Sequence, residues 1–123
     1  MRLRLRDGLP FVSLIIEHAG KRLEIEGALV DTGSAGTIVS ADEVDRIGIV
    51  PAPEDRLRSV CGVGGSETVF TRKIDRVSVA DRSIDGFAVQ VGAMDYGFAI
   101  SAILGTDFLV ATVRDVIRQR SQG

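Results

Sequence analysis

The sequence predicts an all-β domain of about eight short strands with two small helices. Three observations carry that expectation. Apolar residues recur mostly with period two, 14 glycines and three prolines punctuate the 123 residues at short intervals, and only two stretches show helix boundaries. Leu3 and Leu5 alternate with arginines as a first short strand. Residues 11–18 and 22–30 read as a hairpin, because His18-Ala19-Gly20-Lys21 has turn chemistry and Leu23 and Ile25 alternate with Arg22, Glu24 and Glu26. Thr37-Ile38-Val39 is a β-branched run. Ile74, Val77 and Val79 open a further strand, which turns at Asp81-Arg82-Ser83 into Ile84–Val91, and Phe98–Leu104 is the last. Ser40-Ala41-Asp42-Glu43 fits a capping box; Gly48 closes that helix, and Pro51 and Pro53 prevent its continuation. The second helix follows Gly105, with Thr106 as N-cap and Leu109, Val113, Val116 and Ile117 on one stripe. No repeat, low-complexity tract or linker interrupts residues 1–123, which read as one domain.

Composition narrows the function. The chain is 45% hydrophobic and 26% charged, enough apolar material for a core, and no apolar run approaches the roughly 20 residues of a membrane span. Its net charge of −2 and pI near 5.3 argue against a general nucleic-acid binder. Met1-Arg2-Leu3-Arg4-Leu5-Arg6 leads into no apolar signal core, so export is not expected. Cys61 is the single cysteine and cannot form an internal disulfide, which suits a reducing, cytoplasmic setting. With one cysteine and one histidine, His18, a zinc site is not expected, and any serine or cysteine nucleophile would have to use that histidine. Carboxylates are plentiful.

The chemistry concentrates in Ala28-Leu29-Val30-Asp31-Thr32-Gly33-Ser34, where an apolar strand delivers a carboxylate into a tight turn. Gly33 permits a backbone approach that a Cβ would forbid. Ser34 is placed to donate its hydroxyl to the carboxylate and help hold it ionised. Alone, Asp-Thr-Gly is also what an ordinary Asx turn at a strand end would show. Two further segments change that balance: Val60-Cys61-Gly62-Val63-Gly64-Gly65-Ser66-Glu67-Thr68-Val69, a glycine-rich tip between β-like flanks, and Ile103-Leu104-Gly105-Thr106-Asp107-Phe108-Leu109, an apolar pair, a glycine and a helix start.

With these three segments, and the hairpin before the first, the sequence resembles the retropepsin-like aspartic proteases over about residues 10–110. The resemblance implies a small closed β-barrel of the acid-protease type with a flap hairpin and two short helices. It implies that Asp31 is the catalytic aspartate and that Thr32 interlocks with the turn of a partner subunit. Gly33 would contact substrate backbone, with Ser34 completing the turn. Gly62, Val63, Gly64 and Gly65 would form the flap, and Ile103, Leu104 and Gly105 would pack beneath the turn. No metal or organic cofactor is implied; the partners would be a peptide substrate and a second copy of the chain. Two features depart from the family. The flap lacks the tyrosine of pepsin-like enzymes, Tyr96 lying elsewhere, and Val110–Gly123 reads as continuing helix where retroviral members end in an interface strand.

The residues support the same chemistry. Aspartic proteolysis needs two carboxylates sharing one proton, one acting as base on a water and the other as acid toward the carbonyl oxygen. About 3 Å apart at an effective dielectric near 20, two full charges repel by roughly 5 kcal/mol, so one pKa must rise. This chain has one Asp-Thr-Gly turn, so the second carboxylate has to come from Asp31 of another copy across a twofold axis.

Other readings compete at particular residues. Gly62-x-Gly64-Gly65 lacks the lysine and following helix of a phosphate loop, and glycines suit a hairpin tip that opens and closes. Asp107 lies in a first helical turn, where a carboxylate complements the dipole or caps amides. Cys61 reads as a small packed residue and His18 as a solvated turn residue. Arg2, Arg4 and Arg6, with Arg114, Arg118 and Arg120, read as solvated positions before they read as a docking patch. The competing function is a non-catalytic module that keeps the fold for dimerisation or peptide binding.

Overall fold

The computed structural model describes residues 4–6, 9–53, 55, 57–62, 65–93 and 100–122. Along these run β1 (Arg4–Arg6), β2 (Leu9–His18), β3 (Lys21–Val30), β4 (Ile38–Ser40), α1 (Ala41–Asp45), β5 (Leu57–Gly62), β6 (Gly65–Val79), β7 (Arg82–Gly92), β8 (Ala102–Leu104) and α2 (Thr106–Gln122). The strands pair in the order β1-β2-β3-β8-β4-β7-β6-β5, and a further pairing of β2 with β6 joins the ends of the central six. The result is a closed six-stranded barrel with β1 and β5 appended outside it. Closure removes the exposed edges that an open sheet of these strands would present.

The period-two pattern becomes the core. Leu23 and Ile25 of β3 are buried while Arg22, Glu24 and Glu26 are exposed, and Leu14, Ile16, Ile74, Val77 and Val89 fill the interior from β2, β6 and β7. Phe108 of α2 is also fully buried and meets Phe87 edge to face, ring centroids 5.4 Å apart. That contact fixes the first turn of the helix to the barrel. β3 carries one extra residue between Ile25 and Ala28 relative to β2. The bulge bends the strand, so that Ala28–Val30 pair with β8 as well.

Turns explain the differences from expectation. The β2–β3 hairpin closes through Ala19 and Gly20, both left-handed (φ 52° and 79°), as the primed turn that matches strand twist requires. The β6–β7 turn falls earlier than Asp81-Arg82-Ser83. Val79 is a core residue paired with Arg82, which leaves Ala80 (φ 56°) and Asp81 as the two-residue loop. Ser40 does precede α1, but its side chain makes no capping hydrogen bond, and Glu43 lies 3.6 Å from Arg46 instead of reaching back. The helix is one short turn closed at Gly48 (φ 82°), which tucks Ile47 and Ile49 into the core. Of the strand expected over Phe98–Leu104, Ala102–Leu104 is strand; residues 98 and 99 lie outside the described residues. α2 extends over 17 residues.

The segment between α1 and β5 is clamped to the base of the β5–β6 hairpin. The Asp55 carboxylate accepts from Arg72 Nη2 at 2.6 Å, from Arg72 Nε at 3.3 Å and from the Ala52 amide at 2.6 Å. The same guanidinium donates to the Val50 carbonyl at 2.9 Å and lies over the Phe70 ring. Hydrogen bonding to Arg72 holds the Asp55 carboxyl below the usual carboxylate range, against an opposing effect of desolvation. A carboxyl depressed on folding stabilises the fold fully above its unfolded pKa, near about 3.9, and ceases to do so as pH falls through the lower folded value. Asp55→Asn should therefore melt below the wild type by a constant margin from pH 7 to about pH 5, and the margin should shrink below about pH 4. Thermal melts across that range check this.

Candidate active site

The bend in β3 carries the chain off the barrel at Asp31. The Asp31 amide still donates to the Leu104 carbonyl of β8 (3.1 Å), and the Ser34 amide closes the turn onto the Asp31 carbonyl at 3.1 Å. Within the turn the Gly33 amide donates to Asp31 Oδ1 at 2.9 Å, which orients the carboxylate. A Cβ on Gly33 would lie 3.2 Å from that same oxygen, so a side chain there would press on the carboxylate that the amide orients. Asp31 is half-buried, and Thr32 and Gly33 are exposed at the tip.

Ser34 does not serve the carboxylate. Its hydroxyl donates to the Gly36 carbonyl at 2.8 Å, stiffening the loop beyond the turn; the backbone amide two residues after Asp31 takes the orienting role. Thr106 likewise leaves its expected capping role. Its amide (2.9 Å) and hydroxyl (3.2 Å) both donate to the Ser34 carbonyl.

Beneath the turn lies β8, parallel to β3 through Val30↔Leu104 and antiparallel to β4 through Ile38↔Ile103. The loop from Asp31 to Thr37 therefore passes over the end of β8 to join the two strands that flank it. Leu104 is buried there and Ile103 half-buried. Gly105 meets the loop at backbone contact: a Cβ would fall 2.6 Å from the Gly36 oxygen, 2.7 Å from its carbonyl carbon and 2.9 Å from the Ser34 oxygen. Thr37, 1% exposed, accepts from the Gly105 amide at 3.1 Å and donates its hydroxyl to Asp107 Oδ1 at 2.7 Å. Its own amide donates to Asp107 Oδ2 at 3.1 Å, and the Phe108 amide donates to Asp107 Oδ1 at 2.8 Å. Asp107 thus caps amides, as its position suggests, but one of them is seventy residues away. From the sequence Thr37 shows only as the head of a β-branched run. A lone hydroxyl-bearing residue heading an apolar run soon after the turn was the available signal.

The segment expected as a flap is a β-hairpin of β5 and β6, paired from Leu57↔Phe70 to Gly62↔Gly65; Val63 and Gly64 lie outside the described residues. The structure does not bring His18 to Asp31. It ends β2 opposite Lys21, at the far end of the hairpin, where Nδ1 accepts from the Asp75 amide at 3.2 Å. Among the described residues there is no group of three or more His, Cys, Asp or Glu able to hold a metal, and no helix long and apolar enough to cross a membrane.

Because the atoms facing Gly105 are backbone and have no side-chain freedom to retreat, Gly105→Ala should destabilise the protein by about 1–3 kcal/mol, read from urea denaturation midpoints.

A family model described as gag-polyprotein putative aspartyl protease matches residues 21–111. Among solved structures, a retropepsin-like aspartic protease from Rickettsia conorii superposes with a TM-score of 0.61 over 83% of this chain and 78% of that one, at 16% identity, a likeness of fold. A search of curated proteins finds no matching sequence.

Proposed function

The chain belongs to the gag-type aspartyl protease family, whose model spans well over half of its length, and from that membership we propose that it is an aspartic endopeptidase active as a homodimer. The observation that carries this reading is the Asp31 carboxylate, oriented by the Gly33 amide in a turn whose tip is exposed. A module kept only for its fold has no need of a carboxylate so placed. Each chain supplies one such turn, so two copies would meet tip to tip, with Thr32 and Gly33 at the contact and the two Asp31 side chains sharing a proton. One carboxylate would take a proton from the attacking water while the carboxylic acid gives one to the carbonyl oxygen of the scissile bond. The tetrahedral diol then collapses with transfer of a proton to the leaving amine. An extended peptide would lie between the turns and the β5–β6 flaps, held largely by main-chain hydrogen bonds.

Asp31→Asn should lower cleavage of a denatured protein substrate by at least about 10²–10⁴-fold between pH 4 and 7, with an unchanged melting temperature. Full activity in a clean preparation of that variant would refute the assignment. Sedimentation should show a dimer under the assay conditions, and a hydroxyl-bearing mimic of the tetrahedral intermediate should inhibit. A strict monomer that still cleaves would overturn the dimeric mechanism.

A further inference from the structure

Three hydrogen bonds hang the Asp31 turn from the residues flanking Gly105: Asp31 amide to Leu104 carbonyl, and Thr106 amide and hydroxyl to Ser34 carbonyl. Their barrel-side partners, Leu104 and Thr106, are the two neighbours of Gly105. Whatever fixes Gly105 therefore fixes both suspension points. Gly105 itself has no side chain to anchor it; its amide is held by the Thr37 hydroxyl, in a buried setting. That hydroxyl is held in turn by the Asp107 carboxylate, which also takes the Thr37 and Phe108 amides. A hydroxyl has one proton to give. With that proton committed to Asp107, the Thr37 oxygen keeps its lone pairs for the Gly105 amide, so the carboxylate sets the direction of the relay.

We propose that Thr37 and Asp107 form a positioning pair that sets the placement of the Asp31 carboxylate through Gly105. Neither residue touches the reacting atoms. The role rests on the proteolytic reading for its consequence in turnover, but the geometry it controls can be measured without turnover. Displacement of reacting groups by about 1 Å can cost on the order of 10²-fold in rate, and the pair acts on the segment whose displacement would move Asp31.

The test compares wild type, Thr37→Val, Thr37→Ser and Asp107→Asn. Valine keeps the branched shape and removes the hydroxyl; serine restores the hydroxyl without the methyl. Thr37→Val should lower kcat about 10²-fold with KM within twofold, and Thr37→Ser should recover most of that loss. In amide hydrogen exchange, Thr37→Val should expose the Asp31 and Thr106 amides by tenfold or more while amides of the β2–β6 pairing stay as in wild type; Thr37→Ser should protect them again. Asp107→Asn should fall between wild type and Thr37→Val in both readouts, and it carries the test if Thr37→Val does not fold. Wild-type exchange at both amides in the hydroxyl-less variant would overturn the proposal. So would a serine variant no better than valine, or protection lost equally across the whole barrel. If the wild type itself cleaves nothing, the proteolytic reading fails, and the exchange measurement still decides the positioning role.

Discussion

The backbone contact between Gly105 and the Ser34–Gly36 loop is the constraint on which the site depends. A Cβ at that position would sit 2.6 Å from a carbonyl oxygen, well inside van der Waals distance, so only glycine lets the loop lie this close to the end of β8. The approach brings the Ser34 carbonyl within reach of the first amide of α2 and the Thr37 hydroxyl within reach of the Gly105 amide. A loop suspended from one end would place its carboxylate loosely. This one is suspended at Asp31, at Ser34 and at Thr37, and it crosses a strand that pairs with both of its flanking strands. The carboxylate borrows its rigidity from the sheet beneath it.

The barrel makes that arrangement possible. β3 pairs with β2 on both sides of the extra residue between Ile25 and Ala28, and the bend there accompanies the pairing of Ala28–Val30 with β8 on the other edge. Closure through β2 and β6 holds β3 from behind, while Phe108 against Phe87 holds the start of α2. The helix can then offer amides and the Asp107 carboxylate to the loop at fixed height. The Asp55–Arg72 clamp ties the approach to β5 onto β6, so the β5–β6 hairpin starts from a fixed base.

What the sequence revealed followed the strength of each local signal. Turn chemistry at His18-Ala19-Gly20-Lys21, alternation along Leu23–Glu26, and an apolar strand running into Asp31-Thr32-Gly33-Ser34 are local patterns with local causes, and each appears as read. The misreadings concern side-chain oxygens with more than one reachable partner. Ser34 gives its hydroxyl to the Gly36 carbonyl, Ser40 caps no helix amide, and Thr106 donates to the Ser34 carbonyl. Spacing along the chain cannot rank such partners, because the ranking is set by what the fold brings near. Thr37 and Asp107 are seventy residues apart, and the pairing of β8 with β4, beside β3, makes them neighbours. The β6–β7 turn shows the same thing for backbone: burial of Val79 outweighed the turn chemistry of Asp81-Arg82-Ser83 and fixed the loop at Ala80-Asp81.

The single turn has a thermodynamic consequence in the proposed dimer. In that dimer each Asp31 carboxylate would stand within a few ångströms of a like charge, which disfavours ionising both, so the shared proton of the mechanism would belong to the assembly and not to one chain. The repulsion of roughly 5 kcal/mol between two ionised Asp31 side chains, at about 3 Å and an effective dielectric near 20, opposes association unless a proton is taken up. An assembled pair would therefore bind a proton more tightly than the separate chains. By linkage, lowering the pH toward the raised pKa favours the dimer, and the proton that makes the site competent is the one that lets it form. In the proposed dimer, catalytic protonation and assembly would then be a single equilibrium, and an acidic optimum would report assembly as much as chemistry.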